Sequence, residues 1–378
     1  MKTSILLNTA AALALAGCCS FRGNDYPETI DEGFTALADE AALRATVAAG
    51  GDMTLRYEFL TDAPFGGAGV LPAKADNVGK QIWGKDKNFA GEGSYVRKGD
   101  MWNFSEVKIA DGRLEVYLNG YLVTTADKVD ANTKWVGFQG KERYQNIRVK
   151  KGVATDGGSI ADGSLIKDGF VPYFNGDPSQ LKAMWKGVTT EGKFDNPIVR
   201  RKATKEERAA MQVIADRGRD EHWHIRNGAL FFDGFKGGYS LATKKDYGDF
   251  ELWADWRIMS ITGDSGLYLR GSPQVQIWDA HHQWHIGSGG LYNNQTDKTG
   301  NPRHALKIAD KQVGDWNRFH VIMRGEKVTV YLNGELVVDN VTLENYWDRT
   351  KPIFPVEQLE LQCHGDPTEW KNIFIREL

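Results

Sequence analysis

A chain of 378 residues with a formal net charge of −3 is long enough for two domains of ordinary size and lacks the basic excess of a nucleic-acid binder. Its 41% hydrophobic and 26% charged residues mark a globular chain, not a disordered one. The 42 glycines against 11 prolines fit many tight turns between short strands, and three cysteines exclude a disulfide framework.

In chain order, the first element is a targeting segment over residues 1–17. Lys2 supplies the positive end, and Ile5 to Ala16 form the apolar run. The run is too short to span a bilayer as a helix but has the length of a signal core. It ends Leu15-Ala16-Gly17-Cys18, small residues before a cysteine, which resembles the bacterial lipobox. The expected outcome is lipidation at Cys18. That anchors the protein to a membrane of the bacterial cell envelope (periplasmic or outer-membrane lipoprotein) without crossing it. An ordinary signal peptide cut at a small-residue site is the alternative.

Beyond the leader the chain repeats itself. Gly51 to Leu60 (GDMTLRYEFL) parallels Gly248 to Arg257 (GDFELWADWR). Gly66 to Leu71 parallels Gly263 to Tyr268 at the same shift. Asp100 to Val123 parallels Gly314 to Val337, and Gln145 to Val149 parallels Lys371 to Ile375. Blocks that recur in one order predict two copies of one fold, over 31–150 and 165–378. The Gly/Asp/Ser-rich stretch 150–164 reads as a linker. Both copies read as all-β. Alternating runs flank Asn119-Gly120 and Asn333-Gly334, the pair that a two-residue hairpin turn favours because both residues tolerate positive φ. The expected fold is two tandem jelly-roll β-sandwiches. The second carries an insertion over 188–247, in which Thr204 to Gly218 reads as a helix. Thr204 and Glu207 form its capping box and Gly218 its stop.

Chemistry-bearing residues concentrate in the second copy. It holds all eight histidines and nine of the 12 tryptophans. Strand alternation sorts its side chains into faces. One face carries Phe250, Leu252, Ala254, Trp256, Leu267, Leu269, Val275, Ile277, Leu359, Leu361 and Cys363. Cys363 on that face reads as a small buried apolar residue. The opposite face carries Asp255, Arg257, Tyr268, Arg270, Gln274, Gln276, Trp278, Gln362 and His364. Amides and guanidinium groups bond hydroxyls in fixed directions, and aromatic rings stack on sugar C–H surfaces. A solvated sheet face is the plainer explanation of such a set. The corresponding positions of the first copy, Leu60, Leu71, Ala73 and Gly84, lack this chemistry, so that copy reads as structural or weakly glycan-binding. His281 to His285 (HHQWH) has metal-compatible residues but no helix signal, so a divalent metal stays an open alternative to the expectation of no cofactor.

The blocks His222 to Gly234, Asp246 to Ile258, Gly263 to Asp279, Gly287 to Gln295, Gly314 to Val341, Glu344 to Arg349 and Leu359 to Gly365 resemble the 3-keto-disaccharide hydrolase family. The resemblance covers about 165–378, and the first copy looks like a degenerate member. It implies a concanavalin/laminin-G-like jelly roll that cleaves glycosides already oxidised at C3. There the ketone acidifies the C2 proton, a base removes it, and the C1 substituent leaves with help from an acid. Water then adds to the enone, for net hydrolysis. On this resemblance Arg270, helped by Gln276, stabilises the enolate, and His364 or Asp279 serves as base or acid. Tyr268, Trp278, Tyr292 and Asn293 position the sugar. Implied partners are a glycoside or oligosaccharide substrate, the membrane through the anchor, and an oxidoreductase that supplies keto sugars. Two alternatives remain: a carbohydrate-binding surface lipoprotein without catalysis, and a conventional glycosidase, for which Asp255 and Asp279 are the obvious carboxylate pair.

Overall fold

The computed structural model describes residues 33–39, 41–42, 45–46, 51–60, 77–78, 102–127, 143–152, 168–280, 287–295 and 303–378. The leader, Cys18, the 150–164 linker beyond residue 152 and the HHQWH segment lie outside the described residues. In the first half, β1 (Thr35–Ala36), β2 (Met53–Leu60), β3 (Asn77–Val78), β4 (Asn103–Ala110), β5 (Arg113–Leu118), β6 (Tyr121–Asp127) and β7 (Arg143–Lys151) form one antiparallel sheet in the order β1-β7-β2-β4-β5-β6-β3. Period-two alternation places Met53, Leu55, Tyr57 and Phe59 of β2 against Val107, Val116, Leu118 and Val149 in one apolar cluster. The intervening Thr54, Arg56 and Glu58 take the other face.

The second half is an all-β sandwich of two antiparallel sheets with a helical insertion. Its strands are β8 (Val171–Phe174), β9 (Trp185–Gly187), β10 (Trp223–Arg226), β11 (Ala229–Phe232), β12 (Leu241–Thr243), β13 (Phe250–Ile258), β14 (Asp264–Leu269), β15 (Ser272–Trp278), β16 (Asn317–Arg324), β17 (Lys327–Leu332), β18 (Glu335–Thr342), β19 (Glu360–Leu361) and β20 (Thr368–Glu377). The eight-stranded sheet runs β10-β11-β20-β13-β16-β17-β18, with β8 also on β20; the five-stranded sheet runs β15-β14-β19-β12-β9. Between them lies the core, where Leu252, Ala254 and Trp256 of one sheet meet Leu267, Val275, Ile277 and Leu361 of the other.

The two halves share detail beyond strand order. The series β7-β2-β4-β5-β6 matches β20-β13-β16-β17-β18. A register shift falls between Arg56 and Glu58 on β2 and between Trp253 and Asp255 on β13, the same place at the 197-residue offset. Both Asn-Gly turns have positive φ, 46° and 88° at Asn119-Gly120 and 53° and 85° at Asn333-Gly334. In each, the turn asparagine accepts a backbone N–H from the neighbouring strand (Phe104 or Arg318, both 2.9 Å) and donates to a second asparagine (Asn103 or Asn317).

Three helices, α1 (Ser179–Met184), α2 (Pro197–Lys202) and α3 (Lys205–His222), border the five-stranded sheet at β9. The capping box forms as expected, with Thr204 and Glu207 bonding reciprocally at 3.1 and 2.7 Å. Gly218 does not stop α3, which continues four residues to His222. The glycine is there for closeness: a Cβ would sit 2.2 Å from the Tyr239 ring.

The halves meet through a buried charged network on the outer face of the first sheet and one end of the eight-stranded sheet. Asp315 Oδ1 accepts from Arg56 Nη1 at 2.9 Å and from Arg148 Nε and Nη2 at 3.0 and 2.8 Å. Glu106 Oε2 accepts from Arg56 Nε at 2.8 Å and from Arg257 Nη1 at 3.2 Å. Glu369 accepts from Arg257 Nε at 2.5 Å and Arg226 Nε at 2.6 Å. Phe104 packs against Gly314, where a Cβ would stand 2.1 Å from its ring. Burial raises the Glu369 carboxyl, but Arg226 and Arg257 overcome this and hold it at about 2, against an ordinary 4.5. A depressed carboxyl stabilises the fold above its ordinary value and loses that effect as pH falls towards 2. Asp315→Ala removes the acceptor shared by two buried guanidinium groups. It is expected to cost about 3–5 kcal/mol, read as a lower urea midpoint at neutral pH; an unchanged midpoint refutes this role.

Candidate active site

The candidate site occupies the non-core face of the five-stranded sheet. Alternation aims Asp264, Gly266 and Tyr268 of β14 outward, with Gln274, Gln276 and Trp278 of β15 beside them. Register sets Asp264 opposite Trp278, Gly266 opposite Gln276, and Tyr268 opposite Glu360. Beyond β19, Gln362 donates its backbone N–H to the Gly266 carbonyl, and His364 follows at the strand end.

Asp264 is the centre of this face. Its Oδ1 accepts from Gln276 Nε2 at 2.8 Å, and its Oδ2 lies 3.6 Å from His364 Nδ1. Its backbone N–H donates to Asp366 Oδ2 at 3.3 Å. Burial pushes the Asp264 carboxyl up to about 6, with the Asp366 charge adding and His364 and Gln276 partly offsetting it. Gln274 and Gln276 are hydrogen-bonded to each other. Gly266 makes room for them, since a Cβ there would stand 2.9 Å from Gln362 Oε1 and 3.1 Å from Gln274 Cδ. That Gln362 Oε1 is buried without a hydrogen-bond partner.

Aromatic groups flank the polar centre. The Trp278 ring meets Tyr292 edge to face at 4.9 Å, and Arg303 lies 4.3 Å over the Tyr292 ring. Residues 287–291 extend the sheet along β15, exchanging backbone bonds between Gln276 and both Gly289 and Gly290 at 2.8 and 2.9 Å. This carries Tyr292 and Asn293 to the site. Asn293 Oδ1 and Arg303 Nε are also buried without partners. Burial, and then Glu360, push the Tyr268 hydroxyl well above its ordinary range, so it stays a neutral donor.

The structure thus brings together Tyr268, Gln274, Gln276, Trp278, Tyr292, Asn293, Gln362 and His364. Four other expected positions lie elsewhere. Asp255 and Arg257 point away from the core, but β13 belongs to the eight-stranded sheet. Asp255 binds Arg318 at 2.7 and 3.0 Å and Asn372 at 2.7 Å, while Arg257 is in the network between halves. Arg270 is the first residue of the Arg270-Gly271 turn (φ 48° and 69°), with Nη1 3.4 Å from the Gly248 carbonyl, a full strand length from Asp264. Asp279 is in phase with Val275 and Ile277 and so faces inward; its Oδ2 accepts from the Thr262 N–H at 3.1 Å. The carboxylate pair of a conventional glycosidase, Asp255 and Asp279, is therefore not assembled across one groove. Cys363 packs against the core, and burial pushes its thiol up to about 12. Asp264 is not among the residues that the sequence pattern singled out, although it is in phase with Tyr268. Among the described residues no group of three metal-ligating side chains occurs.

The sequence profile of the 3-keto-alpha-glucoside-1,2-lyase-like domain matches residues 169–376. Among solved structures, a provisionally named glycosyl hydrolase from Parabacteroides distasonis ATCC 8503 is 24% identical, with a TM-score of 0.34, covering 42% of this chain and 91% of that one. Another from the same organism is 21% identical, with a TM-score of 0.31, covering 41% and 83%. The carbohydrate binding module CBM66 from Bacillus subtilis is 14% identical, with a TM-score of 0.27, covering 41% and 91%. No curated protein matches the chain.

Behind the site, Asp310 is fully buried. Its Oδ2 accepts from the Ser288 N–H at 2.9 Å while Oδ1 has no partner. Burial raises its carboxyl to about 6, and the Asp279 charge adds to this. A raised carboxyl costs stability as pH climbs from about 4 through 6. Asp310→Asn keeps an acceptor for Ser288 and removes the charge. It is expected to stabilise the fold by on the order of 2 kcal/mol at pH 7.5 and by nothing at pH 4. Thermal melts at both values check this, and a gain of equal size at both refutes it.

Proposed function

The chain belongs to the 3-keto-alpha-glucoside-1,2-lyase-like family, and on that premise we propose that it is a carbohydrate-active enzyme cleaving 3-keto-glycosides by elimination and hydration. The observation that supports this most is the Asp264 carboxyl, raised to about 6, 3.6 Å from His364 on an amide- and aromatic-lined face. Asp264 takes the C2 proton. The electron pair moves towards the C3 carbonyl, and the amide N–H of Gln362 receives the enolate charge in place of the distant Arg270, while Gln276 holds Asp264. The enolate expels the C1 oxygen, which leaves with a proton supplied by His364. Water adds to C1 of the enone, so that elimination plus hydration equals hydrolysis. Trp278 and Tyr292 hold the ring, and the reaction uses no metal or other cofactor.

The first half is read as a duplicate that kept the sheet and not the chemistry. In the repeat alignment Gly67 stands where Asp264 stands, and Leu71 where Tyr268 stands. Its role is structural support of the second half. The mature protein is anchored through Cys18 to the cell envelope, where an oxidoreductase supplies its keto sugars. Cys18→Ala is expected to move the protein from the membrane fraction to the soluble one; retention in membranes refutes the anchor.

A second reading, carbohydrate binding without catalysis, draws on the same aromatic and amide face. Turnover of a 3-keto-disaccharide and of its unoxidised parent separates the two. Only the keto form is expected to react, with or without a chelator, and kcat/KM rises with pH through about 6 as Asp264 ionises. Asp264→Asn should lower kcat by about 100-fold or more, with KM little changed. Equal turnover of both sugars overturns the elimination, and binding without turnover favours the second reading.

A further inference from the structure

At the β9 edge of the five-stranded sheet, between it and the insertion, lies a cavity of about 470 Å³. It is lined by Lys186 of β9, Arg200 and Arg201 of α2, and Arg208 of α3, with Asp246 and Glu357. Four cationic side chains thus face two carboxylates. Glu357 is already committed, accepting from Arg200 at 3.3 Å and from Arg201 at 3.1 Å. This pairing fixes both guanidinium groups in the wall. Arg208 is exposed and donates to the carbonyls of Ala203 and Arg200 at the end of α2. Lys186 differs from all three, since it makes no hydrogen bond and no ion pair among the described residues. Burial holds its ammonium below the ordinary range, with Asp246 opposing the shift. A half-buried cation that makes no hydrogen bond or ion pair, with Asp246, Glu357 and Glu360 acting on it only through their charge, set in a polar cavity among arginines, is a group that can take up an anion.

Register places this cavity on the same sheet face as the candidate active site, with Glu360 and Ala242 buried between them. Tyr268 pairs with Glu360, Glu360 with Ala242, and Ala242 with Lys186. All four therefore lie in one row across one face of the sheet. Lys186 is three strands from Tyr268, a distance of roughly 14 Å at the ordinary strand spacing. A ligand that reaches both ends is longer than one sugar ring.

We propose that the Lys186 cavity is a subsite for an acidic sugar unit, so that the preferred glycosides carry a carboxylate beyond the reacting ring. This rests on the reading of the neighbouring face as a glycoside site. The carboxylate pairs with the Lys186 ammonium, and the arginines of α2 and α3 set the positive field around it.

The test is calorimetric titration of the full chain with two unoxidised probes, a glucuronosyl-glucose disaccharide and its neutral glucosyl-glucose counterpart. The acidic probe is expected to bind about tenfold more tightly at low salt. Lys186→Gln should abolish that preference and leave both the affinity for the neutral probe and turnover of a neutral 3-keto-disaccharide unchanged. Arg208→Gln, on the exposed side of the cavity, should reduce the preference in part. Equal binding of the two probes by the wild-type protein overturns the subsite, as does a preference that survives both substitutions. Absence of keto-sugar turnover with the preference intact overturns the catalytic reading and leaves the subsite standing.

Discussion

Asp315 is the point on which the two halves converge. One buried carboxylate oxygen receives Arg56 and Arg148 from the first half, and around it Glu106 and Glu369 receive Arg56, Arg257 and Arg226. Such a cluster adds little net stability over a well-packed apolar contact, because each charge is desolvated. Its force is in geometry, since any other arrangement of the halves leaves guanidinium groups buried without acceptors. The consequence reaches the ligand face. With one end of the eight-stranded sheet's outer surface held against the first half, the five-stranded sheet is the surface on which alternating polar side chains gather without such commitments.

Alternation along single strands was readable because period two is a local property. It assigned Phe250 to Trp256 and Leu267 to Ile277 to the core correctly, and the Asn-Gly turns are where positive φ demands them. What alternation omits is which sheet a strand joins. Asp255 and Arg257 point away from the core as Tyr268 does, yet the sandwich has two such faces and they lie on the other one. Turn geometry set a second limit. Arg270 continues the outward phase of β14 on paper, but the hairpin takes two residues at positive φ and turns its side chain towards Gly248. Gly218 marks a third limit, because a glycine at a close contact and a glycine at a helix end look alike until Tyr239 is in place.

Two buried carboxyls, Asp264 and Asp310, are both raised to about 6 by desolvation, and their surroundings separate them. Asp310 sits behind the sheet, with Ser288 on one oxygen and no partner on the other; the proton it takes up goes nowhere. Asp264 has a half-exposed imidazole 3.6 Å away, an amide on its second oxygen and the unpaired Gln362 amide oxygen on the same face. A raised carboxyl is therefore not the signature of chemistry by itself. The signature is a raised carboxyl with a route for its proton and a surface that can hold a ligand.

If the halves are the duplicate proposed above, these features can coexist in one chain. The asparagine clamp of the β5–β6 turn recurs in the β17–β18 turn with its hydrogen bonds intact, since it serves the sheet in both places. The outer-face positions have no such common duty. At the 197-residue offset the same register position holds Arg56 in one half and Trp253 in the other, the first a member of the charged network and the second stacked on His320 at 4.0 Å. The asparagine clamps fix the turn backbone in both halves, whereas the two outer faces carry different side chains. The outer face of the first sheet is where the halves are joined, while Asp264 and His364 lie on and beside the five-stranded sheet, away from that junction.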